Sequence, residues 1–253
     1  MPCQLCGGPD HPKGALPSAV LNCPVYAQVP QPLKDSIKQL WDDNPQTVGR
    51  GQELADWIYD HVYSPGAQQH GVWTFYFNPD YPNPLGLVEE RVYLSVKGVR
   101  LLAVWAALQP GFTGTLKWDV VQAKRCQPNV ADARPDSIVI YLRNKAGVWR
   151  CCDELRRLRR ERAIADTDFK STSPPGTGQV PDLPGVSEAR QPDDPGDSFG
   201  GELSRILGSV FDARNRPVRV PSMLDFTTSC LAELKAQGID ITRPWNRPLQ
   251  VFG

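Results

Sequence analysis

The segment DSIVIYLR, residues 136–143, has the period of two that predicts a half-buried β-strand. One side of this strand is apolar, and the other side carries Ser137, Val139, Tyr141 and Arg143. A strand of this kind packs its apolar side against helices and leaves its polar side to solvent or to a ligand. We therefore expect a sheet with one buried face in this part of the chain.

Two earlier segments, RVYLSV (91–96) and TLKWDVV (115–121), show the same alternation, and KAGVWRCC (145–152) predicts a fourth strand. The apolar run VRLLAVWAAL (99–108) predicts a helix that covers the apolar side of these strands. Together these patterns predict an α+β fold with a central, mainly antiparallel sheet and helices packed on one face. The polar sides of the strands collect cationic and phenolic side chains, together with one carboxylate: Arg91, Tyr93, Lys117, Asp119, Tyr141 and Arg143.

The rest of the chain predicts helices and irregular segments around this sheet. Residues 1–31 are rich in Pro and Gly and predict an irregular, Cys-containing arm, whereas residues 32–253 predict a single domain that begins with a helical segment. Residues 165–198 predict a flexible Pro/Gly-rich insertion. FGGELSRILGSVFDA (199–213) and MLDFTTSCLAELKAQG (223–238) predict two helices after it.

Composition excludes several classes of protein. The chain carries 28 basic and 28 acidic residues, so no overall field favours nucleic acid or a membrane surface. No stretch has the roughly 20 apolar residues that span a bilayer, and the N-terminus lacks the apolar core of a secretory signal. We therefore predict a cytoplasmic protein whose seven cysteines are mostly reduced thiols.

Two local patterns leave alternatives open. Cys3, Cys6, His11 and Cys23 could hold a structural zinc ion, or they could lie in a disordered arm with free thiols. The five arginines within residues 156–162 could hold an acidic leader peptide or a protein partner, or they could form the solvated side of a helix. Likewise, the polar side of the sheet suits a phosphorylated or carboxylated ligand, because arginine grips oxyanions bidentately, but it could also simply face solvent.

The motifs ELADWIYDHVY, RVYLSV, FTGTLKWDVV, ARPDSIVIYL, SFGGELSRILGSVFDA and LKAQGIDITRP occur in an order that resembles the HopA-type effector family. This resemblance covers residues 50–245. Members of the family include type III effectors of plant pathogens and the HopA-like lyases of class V lanthipeptide and thioamitide biosynthesis. The latter resemblance implies a phosphothreonine/phosphoserine lyase that works with a kinase-like, aminoglycoside-phosphotransferase-like partner on a ribosomal precursor peptide.

The resemblance also implies roles for individual residues. Lys117, at the family's central lysine position, would be the base that removes the Cα proton, although neighbouring Asp119 favours its charged form, in which it would bind phosphate instead. Arg134, in ARPDS, would bind phosphate unless it only forms an ion pair with Asp136. Arg91 and Arg143 would assist it, and the proton donors for the leaving oxygen would be Tyr141, Tyr93 or His61. The reaction needs no metal or cofactor.

One departure from the family pattern supports a second interpretation. After Ser198, Phe199 and Gly200 the family has a basic residue within a few positions, whereas this chain continues GELSR and has only Arg205 nearby. If that basic residue matters, the chain would be a non-catalytic effector or scaffold that binds a peptide or protein partner. The resemblance would then imply secretion through a type III system.

Overall fold

The computed structural model describes residues 5–6, 23–43, 51–63, 73–82, 86–193, 198–214 and 222–246. The chain forms two compact units: the first comprises residues 1–63 and 200–253, and the second comprises residues 64–199. Each unit is described by itself below. That residues 32–253 behave as a single domain stays a prediction.

The second unit is built on a six-stranded antiparallel sheet, and this confirms the predicted α+β fold. The strands lie in the order β1-β3-β4-β2-β6-β5. Their bounds are β1 Thr74–Phe77, β2 Glu90–Leu94, β3 Val120–Arg125, β4 Ile138–Leu142, β5 Gly178–Gln179 and β6 Val186–Arg190. The central strands β2 and β4 are buried along their whole length.

Helices cover one face of this sheet. In chain order they are α4 Leu101–Thr113, α5 Pro128–Ala131 and α6 Lys145–Arg160. Their apolar side chains form one buried core with the inward residues of β2 and β4, among them Leu94 and Ile140. Burial of this apolar area is the main force that holds the helices on the sheet.

The first unit is helical in its described residues. It contains α1 Pro24–Gln28, α2 Gln31–Asp43, α3 Gln52–Ile58, α7 Phe199–Arg214 and α8 Met223–Ala236, and α3 continues as a π-helical turn over Tyr59–Tyr63. The start of α7 lies tight against that turn. A side chain at Gly200 would come within 3.1 Å of Tyr63 Cβ and 3.2 Å of Tyr59 Cε2. Gly200 and the paired tyrosines are therefore parts of one close contact within the first unit.

Two predicted strands are wrong. TLKWDVV is not a strand until Val120, because α4 extends through Pro110 to Thr113 and residues 114–119 form a turn. KAGVWRCC belongs to α6, whose first turn is capped by the Asn144 side chain accepting a hydrogen bond of 3.0 Å from the amide of Gly147. Three- and four-residue spacing of buried residues continues along this helix, so the true period was helical.

The Pro/Gly-rich segment 165–198 forms part of the sheet instead of being wholly a flexible insertion. It contributes β5 and β6, and β6 pairs with both β2 and β5. Its glycines and prolines make the turns between these short strands. At Gly185 the backbone has a φ of +70° and accepts a 2.7 Å hydrogen bond from the Ser95 amide, which fixes the start of β6 against the end of β2.

None of the helices in the described ranges has the length and apolar character that crossing a membrane requires.

Candidate functional site

The face of the sheet opposite the helices of the second unit carries two cross-strand rows of mostly polar side chains. Antiparallel register aligns Gln122, Tyr141, Arg91 and Ala189 in one row and Lys124, Val139, Tyr93 and Ser187 in the next. Because side chains alternate along each strand, these residues share one side. We call Arg91, Tyr93, Lys124 and Tyr141 the cationic face. The predicted grouping of Arg91, Tyr93 and Tyr141 on one side of the sheet is confirmed.

Strand β3 places Lys124 on the cationic face, and the sequence analysis did not predict this residue as part of the site. Its Nζ lies 4.4 Å from the centre of the Trp73 ring and 5.8 Å from that of Tyr141. Such distances favour a cation over an aromatic face. Lys124 has no ion pair with a carboxylate of the ranges that the structure describes. The ammonium of this half-buried side chain is therefore held by aromatic rings.

Arg91 is buried, and a hydrogen bond and a ring contact are among the interactions that orient it. Its Nε donates a 2.7 Å hydrogen bond to Gln191 Oε1, and its guanidinium carbon lies 4.9 Å from the centre of the Tyr141 ring. Arg91 and Lys124 therefore approach the same Tyr141 ring, which brings two cations into one site.

Tyr93 remains a protonated phenol on the same face. Burial raises the pKa of Tyr93 well above its usual value, and the neighbouring charge of Arg91 offsets this only in part. A protonated phenol can donate a hydrogen bond or a proton to a ligand oxygen. In the same row, the buried Ser187 hydroxyl has no hydrogen-bond partner in the part of the chain that the structure describes.

Arg134 joins this site through Trp73. Its guanidinium carbon lies 4.8 Å from the centre of the Trp73 ring, the same ring that Lys124 approaches. The predicted pair with Asp136 is present, with Nε to Oδ1 at 3.0 Å and the second contact, to Oδ2, at 3.2 Å. A bidentate pair fixes the plane of the guanidinium and offsets its charge. Arg134 is thus positioned beside the cationic face with a compensated charge.

Lys170 holds the loop that carries Arg134. Its ammonium donates to the backbone carbonyls of Ala131 and Arg134 and, at 3.3 Å, to that of Asp132. Burial lowers the pKa of Lys170 from its ordinary value. This contact positions the residue that precedes β4.

Lys117 and Asp119 do not lie on the cationic face, and their predicted placement is wrong. Both lie in the turn before β3, where Lys117 Nζ is 3.0 Å from Asp80 Oδ2 and its side chain is 40% exposed. Asp119 is buried and paired with the guanidinium of Arg150. The carboxylate expected to act on Lys117 is therefore engaged by an arginine of α6 instead.

Arg143 is exposed just beyond the end of β4. Its guanidinium carbon lies 5.4 Å from the centre of the Tyr81 ring, and its Nη1 donates a 3.3 Å hydrogen bond to the Tyr81 hydroxyl. It therefore contacts the segment after β1 and is not part of the Arg91, Tyr141 and Lys124 group.

His61 lies in the first unit, on the π-helical turn. Its ring stacks on Trp57 with centroids 4.2 Å apart, and its Nδ1 lies 2.8 Å from the Trp57 carbonyl oxygen. These contacts show that His61 packs against its own helix.

The predicted zinc site falls largely outside the described residues, because Cys3 and His11 lie there. Of the predicted ligands, Cys6 and Cys23 are described, and Cys23 is buried. Within the described ranges, no group of three or more His, Cys, Asp and Glu side chains is arranged to hold a metal ion. The zinc site stays a prediction.

A sequence signal for the missed residues exists. WTFYF (73–77) is an aromatic run typical of an edge strand, and VQAKR (121–125) alternates in the way that brings Lys124 to the side of the sheet that carries Tyr141. Gln191 follows a strand that forms only by distant pairing, so local sequence gave no sign of its contact with Arg91.

Comparison of the sequence with protein-family models and with curated proteins gives no match. Solved structures are similar. An effector protein from Pseudomonas syringae pv. tomato strain DC3000 aligns with a TM-score of 0.52 and 18% identity over 94% of this chain and 84% of its own. An effector protein from Pseudomonas syringae pv. syringae strain 61 aligns with a TM-score of 0.52 and 14% identity over 87% of this chain and 99% of its own. The chain therefore shares the fold of these bacterial effector proteins.

Proposed function

We propose that this chain is a phosphothreonine/phosphoserine lyase that acts on a phosphorylated precursor peptide made by a kinase-like partner. The observation that carries the proposal is the grouping of Arg91, Lys124 and Arg134 around the rings of Tyr141 and Trp73. Arg91 and Arg134 are two fixed guanidinium groups that suit a dianionic phosphate ester, and Lys124 beside them is left to serve as the base. The resemblance to HopA-like lyases supports the same reaction class.

In this proposal the cationic face supplies both the base and the phosphate site. Lys124, in its neutral amine form, takes the Cα proton of the phosphorylated residue. The electron pair of that C–H bond forms the Cα=Cβ double bond as the Cβ–O bond breaks, and phosphate leaves with the bonding pair. Arg91 and Arg134 stabilise the phosphate as its charge grows, which is where fixed cations help most.

The leaving oxygen needs a proton, and Tyr93 is the proposed donor. Tyr93 lies in the same cross-strand row as Lys124, and its phenol is protonated at neutral pH, so it can donate a proton on this face. Tyr141 instead orients Arg91 and Lys124 through its ring. This division of roles follows from the ring contacts of Tyr141 and the burial of Tyr93.

The test is elimination from a synthetic phosphothreonine peptide, followed by mass spectrometry for loss of phosphoric acid, with and without a kinase-like partner. Lys124→Ala and Lys117→Ala form a matched pair, because both remove a lysine of the second unit. We expect Lys124→Ala to abolish elimination and Lys117→Ala to retain it. Loss of activity in Lys117→Ala alone would overturn the assignment of Lys124, and no elimination by the wild-type protein with its partner would overturn the lyase.

Binding without chemistry is the second candidate. Arg134 is hydrogen-bonded to Asp136, and Arg91 is hydrogen-bonded to Gln191. These contacts hold both guanidinium groups in fixed orientations, which suits recognition of a ligand without a reaction. In that case the phosphopeptide would bind and be recovered intact. Fluorescence anisotropy of the same labelled peptide, measured beside the elimination assay, separates the two functions.

A further inference from the structure

The C-terminal end of α6 and the segment after it line an open cavity of about 650 Å³ that shares no residue with the cationic face. Four guanidinium groups line it, from Arg156, Arg159, Arg160 and Arg162, beside Asp166 and Asp182. Four positive and two negative side chains leave a local charge of +2 in a protein whose overall formal charge is zero. The cavity is thus a local cationic site.

Two of the four arginines are fixed in place. Arg156 donates from Nε and Nη2 to the carboxylate of Asp182 at 2.9 and 3.0 Å, and Arg159 pairs with Asp166. Bidentate pairing restricts a guanidinium to one orientation. Arg156 and Arg159 therefore form an ordered wall of the cavity.

The other two arginines are available for a ligand. Arg160 and Arg162 are exposed, and neither side chain forms a hydrogen bond or ion pair with any residue of the described ranges. Arg162 also has a φ of +58°, the left-handed conformation in which a helix usually ends on glycine. For a residue with a Cβ this conformation costs roughly 1–2 kcal/mol. The strained backbone position thus coincides with a guanidinium that lines the cavity.

The helix dipole explains only part of this arrangement. Cations in the last turn of α6 offset a partial charge of about half an electron, and Arg157, Arg159 and Arg160 already do so. Arg162 lies two residues beyond the last residue of α6, where the effect of the dipole weakens with distance. The two aspartates also interrupt the positive surface, which disfavours a continuous polyanion such as nucleic acid.

We propose that this cavity is a binding site for an acidic peptide segment, with Arg160 and Arg162 pairing with its carboxylates. The carboxylates of a peptide lie on flexible side chains and can reach Arg160 and Arg162 while avoiding Asp166 and Asp182. The charges of a nucleic acid lie on its backbone, which would bring phosphates close to these aspartates. The site does not depend on the lyase reaction, because none of its residues belongs to the cationic face.

The test is a fluorescence anisotropy titration of the full chain against a fluorescein-labelled hexaglutamate peptide at two salt concentrations. Hexaglutamine and oligothymidylate are the comparison probes. We expect hexaglutamate to bind more tightly than either comparison probe and to weaken as salt rises. Arg160→Glu/Arg162→Glu should reduce its affinity about tenfold or more. The single variant Arg160→Glu should also weaken binding, and Arg143→Glu is its matched control, since it makes the same change of charge near the other end of the 16-residue helix α6, about 24 Å away.

The neutral pair Arg160→Gln/Arg162→Gln keeps the test valid if charge reversal disturbs folding, and circular dichroism checks each variant. Equal loss of affinity in Arg143→Glu would mean that binding reflects overall charge, and it would overturn the site. Tighter binding of oligothymidylate, or no binding of hexaglutamate at low salt, would overturn the acidic-peptide proposal.

Discussion

Replacing Gly185 with alanine tests how the Pro/Gly-rich segment is built into the sheet. Gly185 has a φ of +70°, and an added Cβ would lie 2.3 Å from the Lys170 carbonyl oxygen and 2.9 Å from Phe169 Cβ. The left-handed conformation costs an alanine roughly 1–2 kcal/mol, and forcing an extra carbon into packed surroundings costs typically 1–3 kcal/mol. We therefore expect Gly185→Ala to lower the free energy of unfolding by about 2–5 kcal/mol.

Gly86→Ala is the matched control for this prediction. Gly86 also has a positive φ, +87°, but an added Cβ there would have no atom of the described residues within 4 Å. It should therefore lose only the conformational part, about 1–2 kcal/mol. Urea unfolding followed by circular dichroism measures both values, and hydrogen exchange at the Ser95 amide, which donates to Gly185, reports the local opening. If both variants lose the same stability, the close approach of β6 to Lys170 is refuted.

Three further predictions concern a carboxylate, the thiols and a helix end. Arg157 holds the pKa of Glu154 below its usual value by hydrogen bonds of 2.7 and 2.9 Å. The Glu154 carboxylate therefore stabilises the fold at any pH above its unfolded pKa of about 4.3. This contribution is lost as the pH falls through the lowered pKa of the folded state. The stability gap between the wild-type protein and Glu154→Gln in urea unfolding should therefore shrink between neutral and strongly acidic pH; a constant gap would contradict this. Burial raises the pKa of the Cys126 and Cys152 thiols to about 11. Both thiols should therefore resist a thiol-disulfide reagent at mildly alkaline pH until the protein is unfolded, which mass spectrometry of labelled peptides measures. Rapid labelling of the folded protein would contradict this prediction. Arg162→Gly should raise the free energy of unfolding by about 0.5–1 kcal/mol, because the relief of left-handed strain exceeds the added freedom of the unfolded chain. A variant less stable than the wild-type protein in thermal or urea unfolding would refute the strain.

The choice of lysine illustrates what local pattern cannot decide. TLKWDVV alternates as well as a real strand does, but α4 runs on to Thr113 and needs a turn before β3 can start. That turn moves Lys117 off the sheet and brings Lys124 onto the cationic face. Where a strand begins depends on where the preceding packed helix ends, and that is a property of the core.

Much was determined by the sequence alone. The period of two in β2 and β4 predicted both strands and placed Arg91, Tyr93 and Tyr141 on one side, because alternation is set by the backbone of the strand itself. The segments that form α2, α7 and α8 were likewise predicted to be helical, and the structure contains these helices. These features need only short-range information.

Only the tertiary structure decided that β6 lies beside β2, that Gln191 holds Arg91, and that Lys124 and Arg134 meet over Trp73. Each of these contacts joins residues far apart in the chain, and their partners are selected by burial and hydrogen bonding across the sheet. The sequence thus determined which side chains a strand presents, whereas packing determined which strands, and therefore which cations, share one site.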